Sequence, residues 1–172
     1  MSNYHRLYHN GGCYFFTAIT YKRQHILQTN ENIQILRESF KKIMAPRPFQ
    51  IEAIVILPDH IHCIWTLPEN DSDFSTRWRL IKRHFSSRMS APRSKSGEKK
   101  IWQRRFWEHL IKDEKDLQTH MNYIHYNPVK HGYVRRPEEW EYSSYRRHIA
   151  QGICSDLRQN AVLENIEKMN LE

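Results

Sequence analysis

The chain has 172 residues and carries 27 Lys and Arg against 19 Asp and Glu, a formal net charge of +8. This length is sufficient for one domain with its own hydrophobic core. The three cysteines, Cys13, Cys63 and Cys154, lack the number and spacing of a disulfide framework or a cysteine zinc site. Because no signal-peptide core and no apolar run of roughly 18 residues is present, we expect a cytoplasmic protein without membrane association.

The excess of positive charge accompanies five Trp and nine Tyr. A basic surface alone is also compatible with anionic membranes or with ordinary solubility. Aromatic residues interleaved with arginine favour nucleic acid, since bases stack on rings while phosphates need cations.

The first half of the chain predicts a strand, a helix and a β-hairpin. Residues 13–21 are apolar and β-rich, which is typical of a buried strand. Apolar residues recur at helical spacing over residues 33–43, after a candidate N-cap at Thr29. Residues 50–57 and 60–67 form two further apolar runs, and their short connection predicts an antiparallel pair.

The second half predicts another helix, a loop and a fourth strand. Residues 74–89 place apolar side chains on one helix face and spread positive ones over the remainder. Turn-forming and charged residues over 90–100 indicate a mobile loop. Residues 101–111 are expected to return to the sheet as a strand.

A third helix is expected to start near Asp113 or Asp116 and to lose helical conformation at Asn127, which precedes Pro128. The element order predicts an α+β fold, with helices packed on an antiparallel sheet in a ferredoxin-like arrangement. We assign residues 1–150 to a single domain and residues 151–172 to a loosely attached tail. Apolar residues in the tail suggest a short helix around Val162, Leu163, Ile166 and Met169.

His60 and His62 are the strongest candidate metal ligands. They alternate with Ile61 on a predicted strand, so both project from the same face. Two such histidines can simply satisfy hydrogen bonds beside a core. Here Ile61 and the apolar residues in register with it supply one buried face, which leaves the second face beginning with two imidazoles. Imidazole suits zinc, manganese, iron or nickel, whereas phosphoryl transfer usually requires Mg²⁺ or Mn²⁺ with an added oxygen ligand.

Tyr123 and Asn127 are four residues apart on the third helix and therefore share a face. If that face meets the histidines, a metal lies beside a phenol, which is suited to attack on a phosphodiester. The amide oxygen of Asn127 is then a candidate third ligand. Lys130 and His131 follow immediately, where a phosphate could contact both, although cations near a helix C-terminus are common for electrostatic reasons alone.

The sequence resembles the HUH single-tyrosine transposases, and in particular the REP-associated tyrosine transposases. Four segments carry the resemblance: Gly-Gly-x-Tyr-Phe-Phe-Thr at 11–17, Leu-Pro-Asp-His-Ile-His-Cys-Ile-Trp-Thr-Leu-Pro at 57–68, Trp-Gln-Arg-Arg-Phe-Trp-Glu-His at 102–109 and Tyr-Ile-His-Tyr-Asn-Pro-Val-Lys-His-Gly at 123–132. The resemblance implies an HUH nuclease fold, Tyr123 as nucleophile and a divalent metal, Mg²⁺ or Mn²⁺, on His60 and His62.

The resemblance also implies a 5′-phosphotyrosine intermediate and a single-stranded DNA substrate, namely hairpins of REP or BIME-type palindromes. Insertion-sequence relatives usually carry glutamine four residues after the tyrosine, whereas this chain and REP-associated members have asparagine. The shorter amide leaves His120, one turn before Tyr123, as a competing third ligand. REP-associated members are expected to act as monomers.

The residues that contact DNA are less clearly indicated. Arginines lie between aromatic side chains in 102–107, a pattern that can stack bases and hold phosphates, although an edge strand with solubilising charge looks similar. The predicted DNA-binding residues are Arg77, Lys82, Arg83, Arg104, Arg105, Trp107, Lys130 and His131.

The leading hypothesis is therefore a metal-dependent single-stranded DNA endonuclease and strand transferase acting on REP-type hairpins. The alternatives are a non-catalytic hairpin-binding protein of the same fold and a metal-dependent hydrolase of small phosphoesters.

Overall fold

Our computed structural model describes residues 6–90, 97, 99–153 and 169. The chain begins its sheet with β1 (Cys13–Ile19), continues with β2 (Gln50–Ile56) and β3 (His60–Thr66), and ends it with β4 (Trp107–Leu110). The spatial order is β2-β3-β1-β4, and all neighbouring pairs are antiparallel.

The sheet is combined with three long helices, α1 (Asn30–Met44), α2 (Phe74–Arg88) and α3 (Glu114–Lys130), and with the short α4 (Tyr145–Ala150). Two single turns of 3-10 helix cover Tyr21–Arg23 and Pro137–Glu139. The predicted α+β, ferredoxin-like arrangement is confirmed. Among the described residues, no helix combines the length and apolar character that a membrane span requires.

Helices cover both faces of the sheet. α1 and α2 pack over a first apolar cluster, in which Trp65 of β3 stacks on Trp78 of α2 with ring centroids 4.5 Å apart. α3 packs over a second cluster that contains Phe15, Ile64 and Tyr123. Because both faces are covered, β3 is buried along nearly its whole length. This arrangement brings the face of β3 that carries Ile64 against the helix that carries Tyr123.

The first helix begins at its predicted N-cap, and the second has a cap of the same kind that was not predicted. The Thr29 hydroxyl accepts a hydrogen bond from the Asn32 N–H at 3.2 Å, and the Asp73 carboxylate accepts one from the Thr76 N–H at 2.9 Å. Each side chain satisfies an amide that the first helical turn leaves without a backbone partner.

The fourth strand is shorter than predicted. A fourth strand returns to the sheet as predicted, but the bounds 101–111 were wrong, because pairing with β1 covers Trp107–Leu110 and Trp102 forms an isolated bridge with Thr20. Trp102 and Phe106 instead turn towards the first cluster, while Arg104 and Arg105 between them are exposed. The apolar and aromatic residues therefore indicated burial rather than continuous pairing.

The end of α3 also differs from the prediction. The helix continues through Pro128 to Lys130, although the proline was expected to end helical conformation at Asn127. A proline lacks one N–H donor, but the His131 amide still donates to the Asn127 carbonyl at 3.0 Å, so the last turn closes around it.

The segment after α3 was not predicted to be regular, yet it forms α4 and bridges Ser143 to Val55 at the edge of the sheet. Most of the predicted loop over residues 90–100 and of the predicted terminal helix lies outside the described residues. The division into a domain over 1–150 and a tail over 151–172 stays a prediction.

Candidate metal and tyrosine site

The two histidines of β3 lie side by side beneath α3. The ring centroids of His60 and His62 are 4.7 Å apart, and both side chains are almost fully buried. The ring of His62 is 5.2 Å from that of Tyr123, at an angle of 73°. The structure therefore brings the predicted histidine pair and the predicted tyrosine together.

Neighbouring side chains orient both imidazoles. Nδ1 of His60 lies 2.6 Å from the Asp59 carboxylate, and Nδ1 of His62 lies 2.9 Å from the Thr17 hydroxyl. Nε2 of His62 is buried and has no hydrogen-bond partner among the described residues. A histidine that binds metal through one nitrogen usually has the other held by a carboxylate, carbonyl or hydroxyl, which is the arrangement seen here.

Burial and neighbouring charges shift the pKa values of His62 and Asp59. Burial, reinforced by the nearby His60, His131 and Lys130, lowers the pKa of His62 well below its usual value. The neutral imidazole keeps a lone pair for a cation. Burial is the largest single influence on Asp59 and opposes its ionisation, but the hydrogen bonds and charges of His60 and Arg23 together outweigh it and lower the pKa of Asp59 to about 2.

Asn127 presents the oxygen donor that the sequence suggested. Its side chain is fully buried, and neither the amide oxygen nor the amide nitrogen has a hydrogen-bond partner among the described residues. Burying an amide without partners costs about 1–3 kcal/mol. A bound cation at the oxygen would offset that cost, so the residues present fit a divalent metal.

Lys130 supplies positive charge at the tyrosine. Its Nζ lies 3.5 Å from the Tyr123 hydroxyl, 4.8 Å from the centre of the Tyr123 ring and 2.8 Å from the Met169 carbonyl. The ring of His131 lies 5.3 Å from that of His60. Both residues predicted to contact a phosphate after the helix thus lie at the site, and Tyr123 itself is fully buried.

His120 belongs to a different group of side chains. Its Nδ1 lies 3.0 Å from the Asp116 carboxylate, and its ring stacks on that of His109 with centroids 4.6 Å apart. His109, Asp116 and His120 are close enough to hold a metal ion by themselves. The ring of Phe15 contacts both His120 and His62, so an apolar side chain lies between the two groups. This placement favours Asn127 over His120 as the third ligand beside His60 and His62.

Arg77 does not lie on the surface, as its predicted contact with DNA requires. It is fully buried, and its guanidinium donates to the carbonyls of Arg47, Pro48 and Asp73 and to the Asp71 carboxylate. The charge pattern of α2 alone did not distinguish this arginine from its exposed neighbours.

The other predicted DNA-binding residues of α2 line a basic groove. This groove, of about 610 Å³, lies between α2 and residues 97–106, and its described lining includes six cations and no carboxylate. The cations are Arg6, Arg79, Lys82, Arg83, Lys99 and Arg104. Partial burial, together with the nearby Arg6, lowers the pKa of Lys82 to about 8. The groove therefore concentrates positive charge, although the Arg6 guanidinium lies 3.7 Å from the buried Glu108 carboxylate behind its wall.

Arg105 and Trp107 lie elsewhere at the β4 edge. Arg105 is exposed, and Trp107 is 38% exposed, with its ring 5.8 Å from that of Phe15. The groove lies on the face covered by α2, whereas Phe15 belongs to the cluster beneath α3. β4 thus separates the groove from the tyrosine.

Comparisons with known proteins agree with this geometry. The family model described as "Transposase IS200 like" matches residues 10–127. A REP-associated tyrosine transposase of Escherichia coli (strain K12) is 47% identical over 153 residues, covering 89% of this chain and 88% of that protein. The chain belongs to the REP-associated tyrosine transposases. The predicted family and the predicted enzyme class, a tyrosine transposase, are confirmed.

Two further similarities support membership in the REP-associated tyrosine transposases. A Haemophilus influenzae protein, provisionally described as a REP-associated tyrosine transposase, is 45% identical over 156 residues. The match covers 87% of this chain and 88% of the Haemophilus protein. A solved REP-associated tyrosine transposase bound to a REP hairpin superimposes with a TM-score of 0.78 at 43% identity, covering 94% of this chain and 96% of that one.

Sequence reasoning missed two residues that contact the histidine pair. Thr17 and Asp59 orient the histidines, but neither was singled out. Asp59 directly precedes His60 in the hairpin, and this adjacency was an available signal. Thr17 pairs with His62 across the sheet, a relation that requires the register of β1 against β3.

Proposed function

We propose that this chain is a metal-dependent single-stranded DNA endonuclease and strand transferase that cleaves and rejoins REP-type hairpin DNA. One observation carries the proposal: His62 lies with its ring 5.2 Å from that of Tyr123, while its buried Nε2 has no hydrogen-bond partner among the described residues. A candidate metal ligand, Nε2 of His62, therefore lies close to the phenol of Tyr123.

In this proposal His60, His62 and the Asn127 amide oxygen hold Mg²⁺ or Mn²⁺. Two imidazoles and an amide oxygen suit manganese well, and phosphate oxygens of the substrate would supply the oxygen ligands that magnesium prefers. The ion would polarise the scissile phosphate and stabilise its developing negative charge. Asp59 and Thr17 keep the two imidazoles in the orientation that this role needs.

Tyr123 is the proposed nucleophile. Its hydroxyl oxygen forms a bond to the phosphorus as the phosphorus–O3′ bond breaks; the phenol releases its proton to solvent and the departing O3′ takes one up, so that a 5′-phosphotyrosine and a free 3′-hydroxyl result. The Lys130 ammonium, 3.5 Å from the phenol oxygen, stabilises the negative charge that develops there. Because the phosphotyrosine ester conserves the energy of the original bond, a 3′-hydroxyl can rejoin the strand without ATP.

The substrate assignment draws on the relative whose solved structure contains a REP hairpin, together with the basic groove of this chain. Lys82, Arg83 and Arg104 in the groove, with Arg105 and Trp107 at the β4 edge, are the proposed DNA contacts. His60, His62, Tyr123 and Asn127 all come from one chain, which favours a monomer. The cytoplasmic location stays a prediction.

The decisive experiment incubates the protein with a REP-like hairpin oligonucleotide and Mn²⁺ or Mg²⁺. We expect a protein–DNA adduct that survives denaturation and disappears in Tyr123→Phe. Tyr126→Phe is the matched control, because Tyr126 lies on the same helix one turn further along, and this variant should retain the adduct. Failure of the wild type to form an adduct with several REP-like hairpins would refute the proposal.

Chelation by EDTA separates catalysis from binding. Adduct formation should stop, while hairpin affinity measured by fluorescence anisotropy should persist, because the groove binds DNA through its own cations. Tight binding with no cleavage under any metal condition would instead identify a non-catalytic hairpin-binding protein. Turnover of small phosphoesters by Tyr123→Phe would indicate a metal-dependent hydrolase.

A further inference from the structure

A second set of potential metal ligands lies outside the site proposed for cleavage. His109 comes from β4, while Asp116 and His120 come from the first two turns of α3. Nε2 of His109 lies 2.8 Å from one oxygen of Asp116, and Nδ1 of His120 lies 3.0 Å from the other. The Asp116 carboxylate therefore contacts one imidazole from β4 and one from its own helix, α3.

The potential ligand atoms of the three residues are already close together. His109 and His120 are stacked nearly parallel, with an interplanar angle of 17°, and one ligand atom from each of the three residues lies within 4.8 Å of the others. Zn²⁺ binds imidazole nitrogen and carboxylate oxygen at about 2.0–2.2 Å, so small side-chain rotations bring these atoms to an ion between them. Two histidines and one carboxylate form a common zinc donor set that leaves a fourth position for water.

The group is more exposed to solvent than the histidines of β3. The side chains of His109 and Asp116 are 26% and 19% exposed, whereas those of His60 and His62 are almost fully buried. Phe15 separates the two groups, with ring centroids 5.0 Å from His120 and 5.4 Å from His62. An ion at one group therefore shares no ligand with an ion at the other.

We propose that His109, Asp116 and His120 form a second metal site that binds Zn²⁺ or a similar transition metal and fastens β4 to the start of α3. The Asp116 carboxylate also accepts a hydrogen bond from the Lys112 N–H at 3.0 Å, within the short connection between the two elements. Binding at this group thus holds the end of the helix that carries Tyr123, without contributing a ligand to the cleavage site.

Equilibrium dialysis of the full chain with Zn²⁺ tests the proposal. His109→Ala should bind one ion fewer than the wild type, and His62→Ala should also lose one, because the two groups are independent. The double variant should lose both. His25→Ala is the matched control, since His25 is exposed and belongs to neither group, and its stoichiometry should equal that of the wild type.

Thermal unfolding provides a second measurement. Zn²⁺ should raise the Tm of His62→Ala, in which the second group is intact, and should raise it less when His109→Ala is added. Asp116→Asn serves in place of His109→Ala if circular dichroism shows that the latter fails to fold. Equal Zn²⁺ stoichiometry in wild type and His109→Ala would show that the three side chains form a hydrogen-bonded group without a metal, and would overturn the proposal.

The adduct assay distinguishes this inference from the proposed function. With Mn²⁺ and a hairpin, His62→Ala should form no adduct while His109→Ala should still form one. Loss of a Zn²⁺ ion in His109→Ala remains a valid result for the second site even if no variant cleaves DNA.

Discussion

At the scale of single residues, arginines 77 and 79 show how neighbours on one helix can have opposite roles. Arg77 is fully buried among carbonyls and the Asp71 carboxylate, and Arg79 lines the basic groove. The sequence could not separate them, because α2 carries positive residues around much of its circumference and the partners of Arg77 come from the preceding loops. Burial of an arginine becomes predictable when its carbonyl and carboxylate partners are known.

Arg77→Met should lower the free energy of unfolding by about 2–4 kcal/mol, because three carbonyls and a carboxylate lose their buried donor. Urea denaturation measures this change, and hairpin affinity of the folded variant should be unaffected. Arg79→Met is the matched control and should show the reverse, with normal stability and weaker hairpin binding. Normal stability with weak binding in Arg77→Met would restore Arg77 as a DNA contact.

Lys82 provides a pH-dependent prediction. Since partial burial and Arg6 lower its pKa to about 8, raising the pH through this value removes a cation from the groove. Hairpin affinity should therefore fall roughly three- to tenfold between about pH 7 and about pH 9, the effect of losing one phosphate contact.

Fluorescence anisotropy across this pH range measures the loss of affinity. Lys82→Arg should bind almost equally at both ends of the range, because a guanidinium stays charged. Lys82→Met should bind weakly throughout. An identical pH dependence in the wild type and both variants would assign the effect to another group.

At the scale of secondary structure elements, apolar periodicity predicted which side chains are buried better than which residues pair as strands. The hairpin β2–β3 and the amphipathic helices α1 and α2 were predicted correctly because apolar spacing and turn residues agree along each of them. β4 was predicted too long because Trp102 and Phe106 were counted as strand residues. Their aromatic side chains instead pack against the first cluster. α4 was missed because six residues are too few to establish a helical period.

α4 begins at a residue that joins three elements. The Ser144 hydroxyl accepts from the Ile54 N–H of β2 at 3.0 Å and lies 3.1 Å from Nε2 of His125 on α3. Ser144→Ala should therefore cost about 1–3 kcal/mol, because it leaves two buried polar groups without this partner.

Urea denaturation gives the cost of Ser144→Ala, and faster hydrogen exchange at the Ile54 amide would locate it. The adjacent Ser143→Ala is the control, because that hydroxyl is partly exposed and accepts from the Tyr145 N–H, and its cost should be smaller. Equal exchange rates at Ile54 in wild type and Ser144→Ala would show that the hydroxyl does not protect this amide.

At the scale of the whole molecule, the groove predicts how binding responds to salt. Each cation that neutralises a phosphate releases counterions, so the logarithm of affinity falls linearly with the logarithm of salt concentration. Arg83→Gln should reduce the magnitude of this slope by about 1.

Hairpin binding titrations over a series of salt concentrations measure this slope. Lys42→Gln is the matched control, because Lys42 is an exposed cation on α1 outside the groove lining, and its slope should equal that of the wild type. Equal slopes for Arg83→Gln and the wild type would place DNA outside the groove.

The placement of the groove and Tyr123 on opposite faces has a consequence for the length of DNA between them. A strand that contacts the α2 face and also reaches the tyrosine beneath α3 has to pass around the sheet, and in the proposed function it does so at the β4 edge, past the exposed Arg105 and Trp107. The rigid width of the sheet then sets how many nucleotides separate the bound segment from the cut bond. Shortening that stretch of DNA should therefore abolish cleavage while leaving hairpin binding intact.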